Sequence, residues 1–561
     1  MSTILGLPIK FKPEAYSYGK RSSGETHGVV LTKPHIVQMI LDLAGYTENR
    51  DLASMRLLEP SCGEGAFLVP AVHRLVRSAR AHRRKSAQLC DSIVAFDIDA
   101  AHVAATKRAV EKALNEEGIG NGAAKSLVER WVRQDDFLLA AHPGDFDAVV
   151  GNPPYIRIEH LAPEIQAAYR QLYASLFDRA DIYVAFIERS LDLLNAKGNL
   201  TFICADRWTL NHYGAPLRRI ITERFKVNAY IDLHQASPFE SEVIAYPSIF
   251  SLSPGTAGAV PVAHLSTATP DECEALAKSL KNPKEASHAI DLYSAWFEGD
   301  EPWVLSPPEH LKALRQLESR FKSLEADGKT KVRIGVATGY DAAYIVGEDT
   351  AIEKDRLVPL VMRADIENGK LKDGRRFVIN TFERDGRVIK LSDYPHLRKH
   401  LEANGLDIRR RHVAQKNPDS WFRTIDRVYP ELVSVPKLLI PDIAGSNEVA
   451  LDKGSYHPHH NLYYVISDAW DLEVLGGLLS SKAVLFFIWS YATKMRGSYL
   501  RFQAQYLRRI RVPDPADLPA KLTKAIRAAF IARDFKKLDE LALEAYRLKE
   551  LPAFDFVDTR K

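Results

Sequence analysis

The sequence predicts an α/β protein: a doubly wound, mostly parallel sheet of the Rossmann-like type, followed by a mixed α+β domain. Three observations carry this. Apolar strand-like runs alternate with helical stretches through the first half, the pattern of a parallel sheet with crossover helices. Beyond residue 300 the texture changes to short strand-like pieces with long irregular connections. The last 40 residues return to helical spacing. In order, the strand candidates of the first half are Arg56 to Leu58, Ser92 to Phe96, Phe146 to Val150, Asn199 to Cys204, Val227 to Asp232 and Ser248 to Leu252. Between them, Phe67 to Arg84, Ala100 to Glu117 and Tyr183 to Leu194 read as helices. A Gly/Ser/Pro-rich stretch at Ser253 to Gly258 loosens the pattern, and Gly299 to Pro308 reads as a domain boundary. The later strand candidates are Val332 to Val336, Tyr344 to Val346, Lys437 to Pro441 and Leu462 to Ile466. Lys521 to Leu551 carries Leu522, Ile526, Phe530, Leu538, Leu541, Ala545 and Leu548 at helical spacing, so one or two amphipathic helices are expected there. The resulting division is 1–300, 301–515 and a helical segment 516–561.

At 561 residues the chain is long enough for two or three domains, each with its own core. Its composition is that of an ordinary globular protein. No apolar run is long enough to span a membrane and no signal peptide is evident, so no membrane partner is expected. The cysteines Cys62, Cys90, Cys204 and Cys273 are scattered without CxxC spacing. Neither a disulfide framework nor a zinc site is expected, and a reducing cytoplasm is the natural compartment. With a net charge of +4, any nucleic-acid binding must come from local basic patches.

The tetrapeptide Asn152-Pro153-Pro154-Tyr155 follows the third major strand. Two prolines offer no backbone donors and cannot continue a sheet. They leave a fixed side-chain amide and an aromatic ring at the carboxyl edge, where open α/β sheets bind ligands. Such a set suits a flat substrate carrying an NH2 group; a proline-rich strand cap is the plain alternative. Around it, Glu59-Pro60-Ser61-Cys62-Gly63-Glu64-Gly65 reads as a strand end, a glycine turn and a helix start. It lacks a Gly-Lys-Ser/Thr, so it is not a triphosphate loop. Asp97 ends the second strand, where a carboxylate can hold a ribose, and Asp136-Phe137 offers a carboxylate and a ring for an adenine. Asp99 reads as a helix N-cap. Together these groups make a nucleoside site with no phosphate cradle.

The order of Gly28-Val29-Val30-Leu31-Thr32-Lys33-Pro34, Glu59-Pro60-x-x-Gly63-x-Gly65, Asp97, Asp136-Phe137 and Asn152-Pro153-Pro154-Tyr155 resembles the amino-group DNA methyltransferases, and within them the gamma-type, TaqI-like N6-adenine enzymes of restriction–modification systems. The likeness covers the first 250 residues well. Arg333 to Gly339, Lys437 to Ile443 and Gly497 to Phe502 are similar to stretches of those enzymes' target-recognition domains. The resemblance implies an S-adenosylmethionine-dependent methyltransferase sheet with a C-terminal target-recognition domain, and S-adenosyl-L-methionine as cofactor. It places Thr32 and Pro34 at the methionine end, and Glu59, Ser61, Gly63 and Gly65 around the sulfonium and amino acid. Asp97 falls at the ribose, where the family often has glutamate. Asp136 and Phe137 fall at the adenine. Asn152 and the Pro153 carbonyl would hold the target amino group, with Pro154 stiffening the loop. Tyr155 and, by position, Phe239 would stack on a base flipped out of duplex DNA, with plain core packing as the alternative for Phe239.

Ile156 to Asp181, with Arg157 and Tyr169, reads either as a mobile wall over DNA or as a helical insertion with a solvated face. In the second half, Arg409, Arg410, Arg411 and Arg423, and then Arg496 and Arg501, mix with aromatics and are candidate DNA contacts. The run His82 to Lys85 reads as a solvated helix end. His457-Pro458-His459-His460 resembles a metal tract but has no acidic or cysteine residue close in sequence, so it reads as a loop and no metal is expected. A monomer or weak dimer is expected, and the resemblance allows a cognate restriction endonuclease as partner. Other readings are a protein glutamine-N5 methyltransferase, which shares Asn-Pro-Pro-Tyr on shorter chains, cytosine-N4 methylation, where serine more often replaces the asparagine, and a non-catalytic DNA-binding subunit. A fused nuclease finds no convincing acid–acid–lysine cluster.

Overall fold

The structure is a computed structural model that describes residues 31–142, 144–241, 246–256, 258–281, 289–294, 296–372, 374–444, 448–491 and 500–554. The chain divides into two units, Met1–Pro308 and Glu309–Lys561.

The first unit is built on nine strands: β1 Leu57–Glu59, β2 Ile93–Asp97, β3 Val132–Gln134, β4 Phe146–Gly151, β5 Leu194–Ala205, β6 Phe225–Asp232, β7 Pro247–Pro254, β8 Val260–His264 and β9 Asp291–Tyr293. Their order is β3-β2-β1-β4-β5-β7-β6-β8-β9. The first five are parallel neighbours. β7 runs antiparallel between β5 and β6. The helices are α1 Pro34–Leu43, α2 Leu68–Ala81, α3 Ala100–Glu116, α4 Asn121–Trp131, α5 Pro163–Leu172, α6 Tyr183–Asp192, α7 Arg207–Leu210, α8 Ala215–Arg224 and α9 Pro270–Lys281.

Both sheet faces are covered, as a parallel sheet requires. Leu57, Ile93, Ala95, Val132, Ala148, Val150 and Ile203 join a core with α1 to α4 and α9. Their alternates Leu58, Val94, Phe96, Val149 and Phe202 are equally buried but point to the opposite face. The predicted strands and helices all appear, with ends shifted by a few residues. β3 escaped the sequence reading because it is three residues long and two of them, Arg133 and Gln134, are exposed. The strand order reverses at β1, since β2 and β3 build outward on one side and β4 on the other. The crevice at such a switch point is where open α/β sheets bind ligands.

In the second unit, Thr330–Ile334, Leu462–Ser467, Lys437–Pro441 and Ala450–Asp452 form one antiparallel sheet in that order. Ile345–Gly347, Arg376–Ile379, Leu357–Val361 and His457–Pro458 form another. His457–Pro458 is therefore a strand rather than a loop. The C-terminal helices Ala520–Ala532 and Phe535–Ala545 belong to this same unit, which corrects the expected separate segment 516–561. Gly476 and Gly477, on helix Leu472–Leu479, explain why: an added Cβ would lie 2.6 Å from Phe530 and from Ile526, so the missing side chains let these helices close on each other. Among the described residues no single helix is long and apolar enough to cross a membrane.

Candidate active site

Four parallel strands deliver their carboxyl ends to one edge, and each carries a polar group there. Glu59 ends β1 and is 1 % exposed. Its Oε2 has no hydrogen-bond partner among the described residues. Burial, and the negative charge of Asp97, push its carboxyl well above the usual carboxylate range.

The glycine turn behind it is fixed by sterics. Gly63 and Gly65 sit at φ +50° and +92°, a region L side chains rarely adopt. Asp97 Oδ2 accepts from Gly63 N at 2.8 Å, and Thr106 Oγ1 donates to the Gly63 carbonyl at 2.6 Å. Asp97 Oδ1 accepts from Asp99 N at 2.9 Å, with His102 Nδ1 3.5 Å away. That hydrogen bond raises the His102 pKa. Asp99 caps α3 through Ala101 N and His102 N, as its sequence position implied. A carboxylate has about four acceptor sites, and these contacts take three of those of Asp97.

Asp136 follows β3, and its Oδ1 accepts from Leu138 N at 2.9 Å. Its Oδ2 accepts from the Tyr169 hydroxyl at 2.8 Å. Tyr169 is buried on α5 and anchors Ile156 to Asp181 through this contact, while Pro163, Glu164, Arg170 and Gln171 of the same helix are exposed, so the stretch is a helical insertion with a solvated face, the second of the two sequence readings. Phe137 packs between Phe96 and Phe186, with the Arg189 guanidinium 5.1 Å from its ring centre.

Asn152 leaves β4 directly after Gly151, whose φ of +152° turns the chain out of the sheet. Its amide Nδ2 donates to Thr32 Oγ1 at 3.3 Å. The Ser61 hydroxyl donates to the Asn152 carbonyl at 3.2 Å. Three segments far apart in sequence thus converge on one residue. Pro34 opens α1 at its first turn, where a missing N–H costs nothing. Tyr155 is half-buried; its hydroxyl is enclosed, without a partner among the described residues, and burial raises its pKa well above that of a free phenol. Its ring meets Tyr183 and Phe239 edge to face, with centroids 6.1 and 6.4 Å away. Phe239 itself pairs by backbone with Thr32.

Beyond the predicted residues, Asp206 and Asp232 continue the row after β5 and at the end of β6. His234 Nε2 lies 2.7 Å from Asp206, and His264 Nδ1 lies 2.9 Å from Asp232. The sequence signal for these, an acid at each strand end, was the same one that picked out Asp97.

In the second unit, Arg409 lies with its guanidinium 3.7 Å from the Trp421 ring centre. Arg410 is 79 % exposed beside Asp407. Arg411 differs: it donates to the carbonyls of Ile408, Thr338, Trp421 and Arg423 and to the Tyr344 hydroxyl. Those donors are used internally, which makes Arg411 a strut. Arg423 lies over Phe382. Arg496, the Arg501 side chain and Gly28 to Val30 lie outside the described residues. The histidine tract does have an acidic partner, contrary to the sequence reading: His459 Nε2 is 3.0 Å from Asp341 Oδ2, across 118 positions. Asn461 N donates to the other ring nitrogen at 3.4 Å. That places the His459 proton on Nε2 toward Asp341, the tautomer of a hydrogen-bonded pair.

A Rossmann-like methyltransferase sheet with a separate specificity unit is the class that this architecture and its row of strand-end groups define. Residues 84–239 match the Eco57I restriction-modification methylase family, and residues 397–512 match the TaqI-like C-terminal specificity domain. The chain is 45 % identical over 531 residues to the Type II methyltransferase M.PaeR7I of Pseudomonas aeruginosa, covering 93 % of this chain and 92 % of that one. It is 42 % identical over 541 residues to M.BstVI of Geobacillus stearothermophilus, covering 93 % and 96 %. The chain belongs to the Type II methyltransferases of restriction–modification systems. The solved structure of the Type IIL restriction–modification enzyme MmeI in complex with DNA shares the fold, with a TM-score of 0.59 and 13 % identity over 93 % of this chain and 75 % of that chain.

Proposed function

We propose that this methyltransferase moves a methyl group from S-adenosyl-L-methionine to N6 of an adenine flipped out of duplex DNA, at a specific site. The observation that carries this reading is Asn152, held at the switch point of the sheet by Thr32 and Ser61, beside the buried, unpartnered Glu59 oxygen. That oxygen fits a cationic ligand. The cofactor, when bound, supplies an already activated methyl group on a sulfonium. Glu59 would hold its positive amino acid end, Asp97 its ribose, and Asp136 with Phe137 its adenine.

This chain's own contribution is to the acceptor. The lone pair of an adenine amino nitrogen is delocalised into the ring. Asn152 Oδ1 and the Pro153 carbonyl, both fixed acceptors, would take the two amino hydrogens and favour a pyramidal nitrogen. They would also stabilise the positive charge that develops there. The rigid Pro153-Pro154 turn holds these acceptors in place without reorganisation. The half-buried Tyr155 and the buried Phe239 would stack on the extruded base. The specificity unit would meet duplex DNA through Arg409, Arg410 and Arg423, and a cognate restriction endonuclease would share the recognition sequence. Four free cysteines suit a reducing, cytoplasmic setting.

The test is incubation of the enzyme with plasmid DNA and labelled S-adenosylmethionine, followed by methylation-aware sequencing. Asn152→Ala is expected to abolish label in adenine, by at least about 100-fold, while cofactor binding persists. Undiminished turnover in that variant, or label on cytosine, overturns the reading.

A further inference from the structure

We infer that Thr32 is a positioning residue for the methyl transfer: its hydroxyl fixes which end of the Asn152 amide faces the target base. The inference rests on the function proposed above. Family position assigns Thr32 to the methionine end of the cofactor, but its side-chain oxygen lies 3.3 Å from Asn152 Nδ2. The terminal torsion of an asparagine is broad and roughly two-fold, so the backbone alone does not set the amide's orientation. An amide turned over would point N–H donors at a base amino group that also carries only hydrogens. With Nδ2 committed to Thr32 Oγ1, the carbonyl end is the one turned away from Thr32, and its oxygen is enclosed in the structure.

The anchor is rigid enough for that work. Thr32 is 4 % exposed. Its backbone lies in a short antiparallel ladder with the Phe239 loop, where Lys33 N donates to the Pro238 carbonyl and Glu240 N to the Leu31 carbonyl, each at 3.0 Å. Pro34 then starts α1, whose Ile36, Val37 and Ile40 are fully buried. Ser61 holds the Asn152 main chain from the other side. The same ladder therefore ties the amide's orientation to the ring at Phe239, and both groups are referenced to the core through α1.

Thr32→Val keeps the shape and removes the acceptor; Thr32→Ser restores the hydroxyl. Single-turnover methyl transfer and the cofactor Kd are measured separately for each. Thr32→Val is expected to slow transfer by about 10- to 100-fold, with the cofactor Kd within about twofold of wild type and Thr32→Ser recovering most of the rate. A wild-type rate in Thr32→Val overturns the inference. So does a loss seen wholly in the cofactor Kd, which returns Thr32 to the methionine end, or a loss that Thr32→Ser does not rescue. Asn152→Ala run alongside separates the two claims: full activity in that variant sinks the function itself, whereas an inactive Asn152→Ala beside an unaffected Thr32→Val sinks the positioning role alone.

Discussion

Glu59 shows how one residue ties the fold to its ligand. A carboxyl that is 1 % exposed, with one oxygen unpartnered and Asp97 nearby, holds its proton to higher pH than a free glutamate. A cationic cofactor favours the ionised form, so binding must expel that proton wherever Glu59 is still protonated in the free enzyme. Affinity for S-adenosylmethionine is then expected to rise with pH, by up to about tenfold per unit while the group titrates. Calorimetry in buffers of different ionisation enthalpy would count the released proton, and Glu59→Gln should weaken binding and flatten the slope. An unchanged slope in that variant removes Glu59 from the cation site. The sign for folding is opposite. The folded pKa lies above that of an ordinary glutamate, so this contribution to stability is full below the ordinary value and is lost as pH rises through the folded one. Glu59, Asp97 and Asn152 were legible in the sequence because each ends or follows an apolar strand, and Asp136 because it sits beside Phe137 just ahead of the Asn152 strand. The Thr32 contact to Asn152 and the Tyr169 contact to Asp136 were not, since they join positions 120 and 33 residues apart with no pattern between them.

At the scale of elements, what the sequence showed and hid follows from periodicity. β4, β5, β6 and β7 carry long apolar runs that only strands of a covered sheet need. Pairing direction is absent from such runs, so the antiparallel β7 was not evident. The C-terminal helices were visible from their spacing, but not their packing, because that depends on two glycines 50 residues earlier. Gly477 tests it. A Cβ there would lie 2.6 Å from Ile526 Cγ2 and 3.1 Å from Leu538. Overpacking of this kind costs about 1–3 kcal/mol, against a gain in helix propensity of at most about 1 kcal/mol. Gly477→Ala is therefore expected to lower the urea midpoint. Gly122→Ala, at an exposed position of α4 with nothing within 4 Å of the new methyl group, should leave it unchanged or raise it. A stabilised Gly477→Ala would show that the helices do not pack as described.

For the whole molecule the question is where affinity for DNA resides when the net charge is only +4. A global field of that size steers weakly, so phosphate contacts must be local. The three consecutive arginines look equivalent in sequence, yet the structure separates them. Arg409 and Arg410 are exposed, one stacked on Trp421 and the other beside a single aspartate. Arg411 is spent on four backbone carbonyls and a tyrosine hydroxyl. Removing Arg409 and Arg410 together should weaken binding across DNA sequences and reduce the slope of log affinity against log salt by about 1–2. Arg411→Ala should leave that slope alone and instead destabilise the protein by roughly 2–4 kcal/mol, since it orphans buried acceptors. Arg411→Lys, which keeps the charge but not the planar fork, should rescue little of that loss. Fluorescence anisotropy of labelled duplex between about 50 and 200 mM salt, with thermal melts of each variant, distinguishes the outcomes. Equal salt slopes for the Arg409/Arg410 double variant and wild type would move the DNA contact elsewhere. A lowered slope in a fully stable Arg411→Ala would mean that its guanidinium leaves those carbonyls to meet phosphate.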